Sequence, residues 1–165
     1  MDELLRGVNL LLTREKLRRK AAERDKLVIQ SINMLDELDR TANIICGRVR
    51  DWYSIHFPEL DKLVPEHSTY LKLVSELGSR EKFTPEAIKA VVELPERDIE
   101  RIASSAKSSL GAPFDSIDLR AIKECARQVL AIYGIRERIA EYVDGLMAQI
   151  APNIRALVGG TIGAR

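Results

Sequence analysis

Aromatic residues are scarce in this sequence, at 5% of 165 residues, and only one is tryptophan. A binding surface built on many aromatic anchors is therefore not expected. No run of 18 apolar residues occurs, so no transmembrane helix is expected. The N-terminus lacks the basic, then apolar, then small-residue order of a secretory signal. Two cysteines make no disulfide framework. A soluble intracellular protein is the expectation. Neither sign of charge dominates, because 26 Lys and Arg stand against 25 Asp and Glu, for a net charge of +1. That balance excludes a generally basic nucleic-acid coat but leaves room for a local basic patch. The two histidines, His56 and His67, have no cysteine beside them at zinc-ligand spacing. With no nucleophile motif, phosphate loop or carboxylate pair at a strand end, the chain is expected to have no catalytic residues, no metal and no cofactor.

What the chain has is helical patterning. From Glu3 to Ile55 there is no proline, and the only glycines are Gly7 and Gly47. Val28, Ser31, Leu35, Leu38, Ala42, Ile45, Val49 and Trp52 recur at alternating steps of three and four, with Ile32, Cys46 and Tyr53 widening the face. The pattern thins upstream, at Leu10, Leu17 and Ala21. A helix of this length would run roughly 75 Å. A second seam reads Ile122, Cys125, Val129, Ile132, Arg136, Ile139, Val143, Leu146, Ile150, with Ile135 able to substitute for the polar Arg136. Asp115, with Asp118 three residues on, is a carboxylate version of the capping box and starts this second helix. Neither helix is stable alone with one wet apolar stripe. The expected fold is all-α: a long antiparallel two-helix coiled coil with a small helical tip inserted between the two helices. Its parts are a first coiled-coil helix over 1–56, a tip over 57–114 and a second coiled-coil helix over 115–150.

Pro58 ends the first helix. Within the tip, the pattern predicts a helix from about Pro65 to Leu77 with Gly78 as its C-cap. Another starts at Thr84-Pro85-Glu86 with proline at its first position. A short one follows Pro95, through Ile99, Ile102 and Ala106. The tip is long enough to carry its own small core. Ala151-Pro152-Asn153 then breaks the second long helix, and the chain stops at Arg165 in mid-pattern, as though a further domain followed.

Four features invite a functional reading. The stretch Arg14–Lys26 has seven basic and three acidic residues. It reads first as a solvated helix face, and Arg14, Arg18, Arg19 and Lys20 are its candidate RNA contacts. Cys46 and Cys125 fall at similar height in an antiparallel hairpin, either as two free thiols or as a disulfide. Trp52, Tyr53, Ile55 and Phe57 gather aromatic and apolar area at the tip junction, to anchor the tip or to form a self-association patch, or both on different faces, and Trp52, Tyr53, Phe57 and Leu60 are the candidate dimer residues. Gly159-Gly160-Thr161-Ile162-Gly163 lacks the Lys-Ser/Thr ending of a phosphate loop, so close helix packing through Gly159 and Gly163 is expected.

Three stretches resemble the NOP-domain proteins: Ser31–Leu38, then Arg50-Asp51-Trp52-Tyr53-Ser54-Ile55-His56-Phe57-Pro58-Glu59-Leu60, and Ala151-Pro152-Asn153-Ile154-Arg155-Ala156-Leu157-Val158-Gly159 with Gly163-Ala164-Arg165 after it. The resemblance covers essentially the whole chain and is strongest to the archaeal scaffold of box C/D ribonucleoproteins. It implies a scaffold for RNA-guided 2′-O-methylation, with residues 151–165 as the truncated start of the NOP core. It also implies self-association through the coiled coil. In the full-length protein it implies fibrillarin, a kink-turn-binding protein and guide RNA as partners, with no membrane. The setting would be the cytoplasm of an archaeal cell or, in a eukaryote, the nucleolus. The fibrillarin-binding domain and the Gly-Ala-Glu-Lys segment of that family have no counterpart in these 165 residues.

Overall fold

Proline and the capping side chains divide the chain into eight α-helices among the described residues. A computed structural model describes the backbone of residues 2–165 and the side chains of residues 6–19 and 23–165. The helices are α1 (Asp2–Tyr53), α2 (Pro58–Leu63), α3 (His67–Glu76), α4 (Pro85–Val91), α5 (Glu96–Ser108), α6 (Ser116–Ile150), α7 (Pro152–Val158) and α8 (Gly160–Gly163), with a 3-10 turn at Arg80–Lys82. The fold is all-α, and no described residue lies in a strand.

The helix boundaries follow from local chemistry. α1 ends in a turn, where the Phe57 N–H bonds to the Tyr53 carbonyl, just before Pro58. Asp115 Oδ1 accepts from the N–H groups of Ile117 and Asp118 at 2.7 and 2.9 Å, as the capping pattern predicts for α6. Thr84 Oγ1 accepts from Ala87 N–H and starts α4. α3 begins at His67, two residues later than expected. Glu66 stays extended there, and its carboxylate takes the N–H groups of Ser68 and Thr69 as an N-cap. The short helix α2 has no counterpart in the sequence reading.

Two compact units result, residues 1–38 with 135–165, and residues 39–134. In the first, Val28, Ile32 and Leu35 of α1 share an apolar cluster with Val143, Leu146 and Met147 of α6. Arg24 hydrogen-bonds to Gln149. α7 is tied to α6 by Arg155, whose Nε and Nη2 hold both oxygens of Asp144 at 2.9 and 2.7 Å. Gly160 packs so closely on Asp144 that a Cβ there would sit 2.5 Å from its Cα, and a Cβ on Gly163 would meet Ile154 at 2.7 Å. Gly159 instead supplies a positive φ of 81° between α7 and α8. The close packing thus belongs to Gly160 and Gly163.

In the second unit one core joins Ala42, Cys46, Val49 and Tyr53 of α1 to the short helices and to Ile122, Ala126 and Val129 of α6. Residues 57–114 therefore do not enclose a core of their own, because the flanking long helices complete it. The seam on α1 also differs from the expected register. Val28, Leu35, Ala42 and Val49 are buried as expected, but their companions are Ile32, Cys46 and Tyr53 rather than Ser31, Ile45 and Trp52. On α6, Ala126 replaces Cys125 in the buried set, and Ile135 stays 40% exposed, so it does not substitute for Arg136. Leu10 and Leu17 are both 62% exposed, and the Ala21 side chain lies outside the described residues.

Gly111 shows how tightly the connection into α6 is drawn. A Cβ there would fall 2.1 Å from the His56 carbonyl oxygen, which is backbone and cannot yield. The adjacent Ala112 N–H bonds to the Ile55 carbonyl at 2.8 Å. Gly111→Ala is expected to lower stability by about 2 kcal/mol or more through this overpacking, measured as a fall in the urea midpoint followed by circular dichroism.

Candidate functional site

The densest polar cluster forms where α1 meets the first breaks after it. Pro58 and Pro65 chop the chain there, and the end of α2 leaves carbonyls without helical partners. Arg50, one turn before the end of α1, reaches into this gap. Its Nη2 donates to the carbonyls of Val64 and Pro65 at 2.7 and 2.9 Å. Its Nη1 donates to Asp61 Oδ1 at 2.7 Å and to the Asp61 carbonyl at 3.4 Å. Its Nε donates to His67 Nδ1 at 3.1 Å, and the guanidinium lies 4.2 Å from the centre of the Tyr70 ring. All five donors of the guanidinium fork are thus engaged. Arg50 carries no role in the sequence reading. The available signal was an arginine beside an apolar seam, followed by two prolines that strand backbone acceptors.

The aromatic group expected at the tip junction separates into two kinds. Tyr53, Phe57 and Leu60 are wholly buried. The Tyr53 hydroxyl hydrogen-bonds to the Gly78 carbonyl, its ring meets Tyr70 edge-on, and burial pushes its phenol well above the ordinary range. Phe57 packs edge-to-face on Phe83 at 5.4 Å. These three anchor the short helices, and their expected part in a dimer surface is corrected, because no atom of theirs reaches solvent. Trp52, at 38% exposed, is the member of the set left at the surface, with Ile55 beside it at 57%.

The other candidates are placed as follows. His56 Nδ1 donates to the Ala112 carbonyl at 2.8 Å while its Nε2 accepts the Arg80 N–H at 3.2 Å, which assigns the Nδ1-protonated tautomer. Arg80 Nη1 continues the cluster to the carbonyls of His56 and Gly111. His67 is the acceptor for Arg50. Among the described residues no group of three His, Cys, Asp or Glu could hold a metal ion. Cys46, buried, and Cys125, half-buried, carry free thiols in this structure. Burial raises the Cys46 thiol above its ordinary range, against the lowering influence of Arg50.

Arg14, Arg18 and Arg19 are exposed on α1, and the Lys20 side chain lies outside the described residues. At about 100° per residue, Arg14 and Arg18 share a side of the helix while Arg19 points well away. Arg19 also pairs with Glu15 at 3.0 Å. The expected basic face is thus a scatter of cations rather than a stripe.

Such features define a helical framework module, in which the polar clusters serve backbone geometry. Comparison with known proteins shows the family. A family model, Nop, described as "snoRNA binding domain, fibrillarin", matches residues 34–165. The chain belongs to this family. It is 38% identical over 154 residues to an uncharacterized NOP5 family protein of Methanocaldococcus jannaschii, covering 93% of this chain and 37% of that protein. It is 33% identical to Nucleolar protein 58 of Debaryomyces hansenii over 165 residues, 100% of this chain and 32% of the relative. It is also 33% identical to Nucleolar protein 56 of Bos taurus over 161 residues, 96% of this chain and 27% of the relative. The chain thus spans about a third of the length of these curated relatives.

Two outcomes follow from the Arg50 cluster and the cap beside it. Arg50→Lys is expected to lower stability by about 2–4 kcal/mol, because a lysine keeps the charge but cannot serve this set of acceptors, as equilibrium urea unfolding would measure. Glu66 governs an acid transition. Burial alone would raise its carboxyl, but the bonds from Ser68 and Thr69 outweigh that and hold it at about 2, below the ordinary 4.5. A depressed folded value means the cap stabilises fully above 4.5 and is lost as pH falls towards 2. The stability gap between wild type and Glu66→Gln should therefore shrink across that window in paired urea titrations.

Proposed function

We propose that this chain is a structural scaffold segment of a box C/D guide ribonucleoprotein that directs RNA 2′-O-methylation. The observation that carries the reading is the family match over residues 34–165, on a framework whose buried Arg50 is spent on backbone carbonyls. The parts act as a first coiled-coil helix over 1–56, a helical tip over 57–114, a second, antiparallel coiled-coil helix over 115–150 and the start of the NOP core over 151–165. The full-length protein works with fibrillarin, a kink-turn-binding protein and guide RNA, in the cytoplasm of an archaeal cell or the nucleolus of a eukaryotic one. The segment itself performs no catalysis. Direct RNA contact by Arg14, Arg18, Arg19 and Lys20 is the rival reading, and the scatter of those arginines around α1 gives it little support.

Self-association of the second unit completes the role, since a duplicated scaffold holds two methylation sites in fixed relation. Trp52 and Ile55 are the surface residues for that contact. Light scattering coupled to gel filtration should return twice the chain mass for the wild type at high micromolar concentration. It should return the single-chain mass for Trp52→Glu and, independently, for Ile55→Glu, each with an unchanged helical spectrum. A monomeric wild type, or dimers that survive both substitutions, would rule the contact out.

A further inference from the structure

Leu10 and Leu17 of α1 repeat, without cover, the seam that the first unit buries. Leu10 precedes Val28 by eighteen residues, and Leu17 precedes Leu35 by the same interval. Eighteen residues are five turns of 3.6, so each leucine lies on the same side of the helix as its buried counterpart. Val28 and Leu35 are covered by α6, at 7% and 1% exposed, whereas Leu10 and Leu17 each leave 62% of their surface open. Arg24, seven residues after Leu17, meets Gln149 near the α6 terminus at Ile150. The uncovered seam therefore continues an apolar interface that the fold already uses.

Arg14 identifies what fits there. It stands eighteen residues before Ile32, so a cation occupies the seam position between Leu10 and Leu17 that Ile32 occupies between Val28 and Leu35. Apolar cover over the two leucines would strip water from this guanidinium unless the partner supplied a carboxylate. Arg6 and Arg18 add positive charge on this part of the helix. A second copy of the segment would set Arg14 against its own kind of charge. RNA phosphates would answer the arginine but would gain nothing from the leucines.

The geometry points to a protein partner of stated chemistry: an amphipathic helix that lays apolar residues on Leu10 and Leu17 and a carboxylate on Arg14. A single polar seam pair of this kind also sets register, as it does in coiled coils. The inference concerns the first unit and is independent of the self-association proposed for Trp52 and Ile55.

Two fluorescent model helices test it, with leucine at the seam positions and identical except for Glu or Lys at the central one. Titrated with the full chain and read by anisotropy, the Glu helix should bind roughly tenfold more tightly than the Lys helix. Arg14→Glu should reverse the preference, and Leu10→Ser/Leu17→Ser should abolish binding of both helices while circular dichroism stays unchanged. Because Arg14→Glu is a surface charge reversal, loss of folding does not confuse its reading. Equal binding of the two helices, a preference that survives Arg14→Glu, or binding indifferent to the leucine substitutions would overturn the inference. So would self-association lost in the leucine variant, or single-stranded RNA binding that needs the arginines but not the leucines.

Discussion

The polar chemistry of the second unit centres on one ion, Arg50. Two prolines break the chain just after α1, and the breaks leave backbone acceptors without helical partners. Arg50 answers them from the adjoining helix. It takes the carbonyls of Val64 and Pro65, the carboxylate and carbonyl of Asp61 and the free nitrogen of His67, while Tyr70 covers the face of its guanidinium. A planar fork with five donors suits this scattered set of acceptors, and a lysine does not. Arg80 plays a smaller version of the same part, binding the carbonyls of His56 and Gly111 where the chain leads into α6. The apolar residues around them, Tyr53, Phe57, Leu60 and Tyr70, are wholly buried.

This arrangement bears on function through what it leaves free. His56, the buried Arg50 and the buried Cys46 face inward, whereas the exposed His67 accepts from Arg50 at the surface. What the fold presents outward is apolar or cationic surface at particular places: Trp52 and Ile55 in the second unit, and in the first unit Leu10, Leu17 and the arginines near them. The curated relatives that the chain matches are about three times as long.

Legibility differed by feature. The Asp115–Asp118 box, the Thr84-Pro85 start and the Ala151-Pro152 break were readable because each is a local interaction spanning a few residues. The seam register was not. Two registers share Val28, Leu35, Ala42 and Val49 and differ by one residue at the companion positions, where Ile45 and Cys46, or Trp52 and Tyr53, are apolar alike. The choice fell to the neighbours. The Tyr53 hydroxyl finds the Gly78 carbonyl deep in the core, and Trp52, one residue or about 100° away, is turned to the surface. The same limit divided the candidate dimer residues, since a pattern of apolar residues does not say which of two adjacent faces meets a core.

The sequence by itself determined the helical class, most of the breaks and the family, because periodicity, proline and capping chemistry act over short spans and the matching motifs are continuous strings. Tertiary structure alone decided the role of Arg50, the burial of Tyr53, Phe57 and Leu60 and the exposure of Leu10 and Leu17. Each of these depends on residues far apart in the chain arriving at one place, or on none arriving at all.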